Sequence, residues 1–299
     1  MITARDGFTL TELLIAMAIG GIIMTALLQL VFSAQRLYQT DSARTAVNQN
    51  ASVALTAMTN DLRQAGERLT RDFPALSVDG PAGQERVTMR RSVLDAVLPV
   101  CKDVKGGTAT DVVFISKEDK GKSGTLPPNC KDSSAEVGFN EWIAYRKAQG
   151  GTVDAFIYDP VTGLGETFVY DAEDGSGQHI HRGGGKWLND YPVENKPRVY
   201  MMEQVSYQQS GTYLMRQVGS GDAIAYLPGV TGFDVRPITL NAAGAETTIS
   251  GNFPAAPLTW KDLYRLDIVL TAQQRAGSQT VSRTYTSSFV PRNVFSEDR

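Results

Sequence analysis

An uninterrupted apolar run near the start of the chain limits its fold more than any other feature. Leu13 to Phe32 is 20 residues without a charged side chain. As an α-helix the run rises about 30 Å, the thickness of a bilayer core. Thr25 and Gln29 are its most polar members, and neither forbids insertion. One acid, Glu12, stands at its head and is the only charged side chain between Asp6 and Arg36. A carboxylate inside an apolar segment costs roughly 3 kcal/mol even on lenient insertion scales, so it needs a partner, a task or a wet position.

Three kinds of processing compete for this segment. A secretory signal has a basic start, an apolar stretch of about 7–15 residues and a small-residue cleavage site. Here the run is longer, Glu12 would interrupt its start, and Val31-Phe32-Ser33-Ala34 is a poor site. A plain transmembrane anchor fits the length but leaves Gly7-Phe8 and Glu12 unexplained. The third reading removes a short leader, Met1 to Gly7, and keeps the run, with Glu12 at the fifth position of the trimmed chain.

Gly7-Phe8-Thr9-Leu10-Thr11-Glu12-Leu13-Leu14 resembles the class III leader and N-terminal motif of type IV pilins and type II secretion pseudopilins. The resemblance implies that a prepilin peptidase cuts between Gly7 and Phe8 and methylates the new amine of Phe8. It implies that Glu12 draws the subunit into a filament and sets its register against a neighbour's N-terminal amine. Opposite charges attract strongly in a low-dielectric bundle, while each alone is costly in lipid. Leu13, Leu14, Ile15, Ile19, Ile22, Ile23 and Leu27 would then pack the filament core. Arg5 and Asp6 cancel in the leader, so a cytoplasmic N-terminus follows from the resemblance and not from a positive-inside signal.

After Ser33 the chain keeps helical periodicity on one face only. Val47, Ala51, Ala54, Met58, Leu62, Ala65 and Leu69 recur at steps of three or four. No proline occurs before Pro74, and Asp72-Phe73-Pro74 is a stop signal. The pattern predicts one helix from about Phe8 to Leu69, some 90 Å long, that leaves a membrane and docks on a domain. The alternative is two helices hinged near Thr40 to Ser42, and Gly20-Gly21 is a further soft point. Asp61-Leu62-Arg63-Gln64-Ala65-Gly66 resembles a local signature of PilW-type minor pilins; a surface turn with Asp61 and Arg63 in solvent and Leu62 and Ala65 in the core is compatible with it.

Beyond Phe73 the pattern becomes β-rich. Asp79-Gly80-Pro81 reads as a turn, and Val93 to Leu98 as a short helix or a strand. Strand candidates are 111–115, 141–146, 153–158, 166–170, 198–208, 212–217, 223–227, 230–236, 263–273 and 280–290. Strands at short intervals after one long helix imply an α+β head with an antiparallel sheet, one face covered by the helix stripe. Cys101 and Cys130 are the only cysteines. In an oxidising compartment they favour a disulfide; two free buried thiols are the alternative.

Few chemistries find support. Net charge is −3 with no long basic stripe, so nucleic-acid binding has no electrostatic basis. Asp171 to Gly177 has acids and glycines but no EF-hand pattern. His179 and His181 would share one face of a strand without a third ligand at zinc spacing. Arg182 to Lys186 lacks the ending of a phosphate loop, and no catalytic constellation stands out. No metal or cofactor is expected.

The tail carries a second resemblance. Leu227-Pro228-Gly229-Val230-Thr231-Gly232-Phe233, Trp260 with Leu263 to Leu270, and Arg283 to Asn293 are similar to the closing pattern of PilW-type proteins, part of it shared with pseudopilin J of type II secretion. Expected parts are a leader over 1–7, a transmembrane and filament-core helix over 8–35, its amphipathic half over 36–71, and a β-rich head over 72–299. The resemblance implies a minor pilin that primes a type IV pilus and stays at or near its tip. Its partners would be other minor pilins, the major pilin, a prepilin peptidase, the inner-membrane assembly platform and a tip adhesin. The inner membrane would hold it before assembly. A secretion pseudopilin, and a membrane-anchored enzyme or binding module, remain as alternatives.

Overall fold

The computed structural model describes residues 9–70, 73–109, 112–114, 130, 134–174, 179–255 and 258–290. Helix α1 runs unbroken from Leu10 to Gln64. Its 55 residues span about 80 Å. Neither Gly20-Gly21 nor Thr40 to Ser42 interrupts it, so the hinged alternative is not what forms. It stops about five residues earlier than the stripe predicted. Ala65 leaves helical geometry, and Gly66 and Arg68 take left-handed φ values of 83° and 57°. The Gly66 N–H then joins the sheet at Arg90 O (2.9 Å), so a tertiary bond replaces the next helical one.

Fourteen strands and a second helix follow among the described residues: β1 (Leu76–Asp79), β2 (Arg86–Ser92), β3 (Leu98–Pro99), β4 (Val112–Phe114), α2 (Ser134–Ala148), β5 (Val153–Tyr158), β6 (Gly165–Asp174), β7 (His179–Arg182), β8 (Arg198–Ser210), β9 (Tyr213–Val218), β10 (Ile224–Pro228), β11 (Val230–Leu240), β12 (Glu246–Thr248), β13 (Leu263–Ala276) and β14 (Gln279–Phe289). The antiparallel β head expected from sequence forms, as two sheets. A 10-stranded sheet has the order β1-β2-β8-β5-β6-β7-β4, with β3 and β9 also on β8 and β10 on β9. A 4-stranded sheet has the order β12-β11-β13-β14. Every strand pairing among the described residues is antiparallel, as the short connections allow.

Another expectation fails at 141–146, which belongs to α2. Short runs of aromatic and branched residues do not distinguish strand from helix by periodicity. Here Phe139 and Trp142, three apart, are buried together, and Trp142 Nε1 donates to Ala96 O at 2.8 Å. Gly150 and Gly151, both at positive φ, join α2 to β5. Val93 to Ala96 forms neither helix nor strand, and β3 takes only Leu98 and Pro99.

Two cores result. The first gathers Ala51, Ala54, Met58 and Leu62 of α1 with both sheets, among them Val87, Tyr207, Phe233, Leu266, Ile268 and Leu270. The second lies under α2, where Trp142, Tyr170, Ile180, Trp187 and Tyr191 close over β5 to β8. Cys101 and Cys130 are joined by a disulfide with Cα atoms 5.8 Å apart. It ties the connection carrying β4 to the second core.

Candidate functional site

The candidate site is the start of α1 and the way that helix meets the head. Gly7 and Phe8 lie outside the described residues. From Thr9 onward the geometry is set by a reciprocal cap. Thr9 Oγ1 accepts from the Glu12 N–H (3.4 Å), and Glu12 Oε2 accepts from Thr9 N (3.0 Å) and Thr9 Oγ1 (2.9 Å). Together these satisfy donors that a helix start leaves without partners, and the acid favours the positive end of the helix dipole. Glu12 therefore has a partner in its own chain, where a partner from a neighbour alone was expected. Its hydrogen bonds supply no countercharge. The Thr-x-x-Glu spacing announces this cap in the sequence.

Every residue from Thr9 to Gln39 is exposed. That includes Leu13, Leu14, Ile15, Ile19, Ile22, Ile23 and Leu27, each more than half exposed. Among the described residues α1 is the one helix long and apolar enough to cross a membrane. Thr25 Oγ1 donates to Gly21 O (2.8 Å), so the hydroxyl within the run is satisfied by the helix itself.

Past Thr40 the same helix docks. Ala43, Val47, Ala51, Ala54, Met58 and Leu62 are buried at steps of three or four. Asp61, at the head of the Asp-Leu-Arg-Gln-Ala-Gly stretch, is not free in solvent. Its Oδ2 accepts from Tyr207 Oη (2.7 Å) and from Arg216 Nη2 (3.2 Å). Arg216 also donates to Tyr207 Oη (3.0 Å). Burial, and then the Asp61 carboxylate, push the Tyr207 phenol above its ordinary range against the pull of Arg216. This latch joins α1 to β8 and β9. No sequence signal pairs Asp61 with Arg216, 155 residues away.

The other sequence candidates come out as structural parts. Glu173, from the acid-rich stretch, pairs with Arg146 of α2 at 2.7 Å and accepts from Tyr170 Oη at 3.0 Å. Residues 175–178 lie outside the described residues. His179 and His181 sit on one face of β7, with Ile180 buried on the other. Among the described residues no group of three His, Cys, Asp or Glu side chains is placed to hold a metal ion. Gly229, in the tail pattern, is a packing requirement: at φ 76° a Cβ would stand 2.3 Å from Gln273 O. The closing Pro291 to Asn293 of that pattern lies outside the described residues.

Comparison with known proteins locates the start of the chain and little else. Residues 2–28 match the family described as the prokaryotic N-terminal methylation motif. No curated protein matches the chain at a significant level. Among solved structures, a type IV-like pilin, TTHA1219 from Thermus thermophilus, aligns over 83% of this chain and 97% of its own with 10% identity. Its TM-score of 0.36 is too low to establish a shared fold. The chain thus carries an N-terminal methylation motif on a long apolar helix that continues into an antiparallel β head.

Proposed function

We propose that this chain is a type IV pilin-like filament subunit, and within that class a minor pilin of the PilW type. It co-assembles with other minor pilins and the major pilin, primes the fibre and stays at or near its tip. One observation carries the reading. The matched motif over residues 2–28 lies in frame with a helix whose first 30 residues are all exposed and whose remainder is docked on the head. A prepilin peptidase trims the chain after Gly7 and methylates Phe8. The subunit then waits in the inner membrane on the Leu13–Phe32 segment, at an assembly platform. Helix-on-helix packing of Leu13, Leu14, Ile15, Ile19, Ile22, Ile23 and Leu27 against neighbours gives those side chains the contacts their own head does not. Glu12 uses Oε2 for its cap, which leaves Oε1 for a neighbour's amine and so for register.

Mass spectrometry of sheared surface fibres from cells producing the full chain tests this. The expected peptide begins at N-methylated Phe8. A mature chain beginning at Met1, or one starting past Phe32 and free of the membrane, overturns the proposal. A chain found only in a periplasmic filament, absent from surface fibres, supports a secretion pseudopilin instead. Glu12→Ala should leave the head folded and reduce incorporation; fibres containing it at unsubstituted levels would remove Glu12 from the mechanism.

A further inference from the structure

We propose that β14 is a docking edge that takes an extended strand from a neighbouring filament subunit. This rests on the filament reading above and adds a second, backbone-mediated contact to the helical one.

The edges of the two sheets are unequal. β1, β3, β4, β10 and β12 are 4, 2, 3, 5 and 3 residues long. Folded proteins keep open edges short, bulged, charged or capped by proline, because unpaired N–H and C=O groups recruit further strands. β10 also carries a register shift and Pro228. β14 has none of these defences. It runs 11 residues, pairs with β13 without a register shift, contains no proline and has Arg283 as its only charge. Among the described residues no strand pairs with its other side.

The outward groups can be assigned. Gly277-Ser278 is a two-residue turn with Ala276 opposite Gln279, so that closing pair is hydrogen-bonded and alternate pairs are not. Gln273, opposite Ser282, sends its N–H the other way, to Gly229 O at 2.7 Å, which fixes the same alternation. The backbone groups of Thr280, Ser282, Thr284, Thr286 and Ser288 therefore point to the open side. All five side chains are hydroxylated and exposed, and they share one face. Thr284 shares a hydrogen bond with Thr271 (3.0 Å), and Ser288 Oγ donates to Asp267 Oδ1 (2.6 Å). A row this shallow and uncharged fits a strand with short side chains, held mainly by main-chain bonds.

Position identifies the occupant. The opposite face of β14 lies on α1: Tyr285 Oη donates to Asn48 Oδ1 (2.6 Å) and Phe289 is buried. The β13–β14 turn reaches Gln39, the last residue of the fully exposed half of α1. A subunit brought alongside by that half meets this edge first.

The test uses the full chain in fibre-forming cells. Ser282→Pro removes one outward N–H without touching the β13 ladder. It should lower recovery in sheared fibres about tenfold, while membrane levels and resistance of the head to protease stay unchanged. Ser282→Ala keeps the N–H and should incorporate normally. A photo-crosslinking residue at Thr284 should capture a strand of another fibre subunit. Incorporation of Ser282→Pro within about twofold of the unsubstituted chain, or capture of a helical segment only, overturns the edge proposal and leaves the filament reading intact. If Ser282→Pro does not accumulate, the exposed pair Thr284→Lys/Thr286→Lys decides by the same measure. Absence of the unsubstituted chain from all fibres overturns the filament reading itself.

Discussion

From Leu10 to Gln39, α1 has no buried residue; from Ala43 to Leu62 it has six. The backbone is continuous across the change, so the difference lies in what each half can use as solvent. The first half is apolar on all sides and would bury every face in lipid or among other helices. The second half has a wet side, so its apolar residues collapse to one stripe that fits the head. One helix thus serves two environments: its docked half holds the head together, and its free half has value only in the presence of something else.

The largest test of that contrast is to remove residues 1–33. The expected outcome is complete loss of membrane retention, with a head that still unfolds cooperatively. A fragment that no longer folds would mean that the free half stabilises the head, and the contrast would fail. Point substitutions sharpen it. Met58→Ala should cost the head about 2–5 kcal/mol, because Met58 is fully buried against both sheets. Ile22→Ala, at 71% exposure, should change head unfolding by no more than about 0.5 kcal/mol while weakening assembly. Chemical unfolding of both full-length variants in detergent checks the pair. Equal losses would show that the halves are coupled.

The same contrast explains what could be read from the sequence. The free half is legible because its signal is local: 20 apolar residues and one acid need no tertiary information. The stripe from Val47 to Leu62 is legible because a half-wet helix writes its period into the chain. Legibility is lost where the deciding partner is distant. The helix ends at Gln64 where the Ala65 N–H turns to Leu62 O and the Gly66 N–H goes to Arg90 O. Residues 141–146 became helix because Trp142 found Ala96 and the second core, which no six-residue pattern can contain. The division into two sheets was not legible: β8 carries partners on both sides along its length, while β11 to β14 pair only among themselves. At the candidate site, Glu12 stands out in the sequence as the one acid heading an apolar run, and the Thr9-x-x-Glu12 spacing carries its local cap as well.

The Asp61 latch gives the next prediction. Asp61 and Arg216 retain 22% and 25% side-chain exposure, so solvent screens them partly and a buried-pair value does not apply. Asp61→Ala leaves Arg216 and Tyr207 without their acceptor and should cost about 1.5–3 kcal/mol of head stability. If α1 is anchored by packing alone, the loss will be smaller than about 0.5 kcal/mol.

Tyr207→Phe should produce a smaller effect than the loss of Asp61 and carries the clearest sign. At neutral pH it deletes the hydrogen bonds that the phenol makes with Asp61 and Arg216 and should cost about 1 kcal/mol. Burial, then the Asp61 carboxylate, hold the Tyr207 phenol above its ordinary value of 10.0. Above that value the unfolded chain gives up the phenol proton while the folded chain keeps it. The contribution of Tyr207 is thus complete below about pH 10 and is lost as pH rises through the folded value. Tyr170 and Tyr191 are also raised, chiefly by burial, and add to the alkaline loss. Arg90 works in the opposite direction. Burial lowers it to about 10 despite Asp79, so its unfavourable charge is relieved in the same range. Both contributions are common to the variant and the unsubstituted head, so the difference between the two isolates Tyr207. That difference should be about 1 kcal/mol near pH 8 and shrink steadily above about pH 10. A gap that stays constant through the alkaline range would show that ionisation of Tyr207 is not linked to folding.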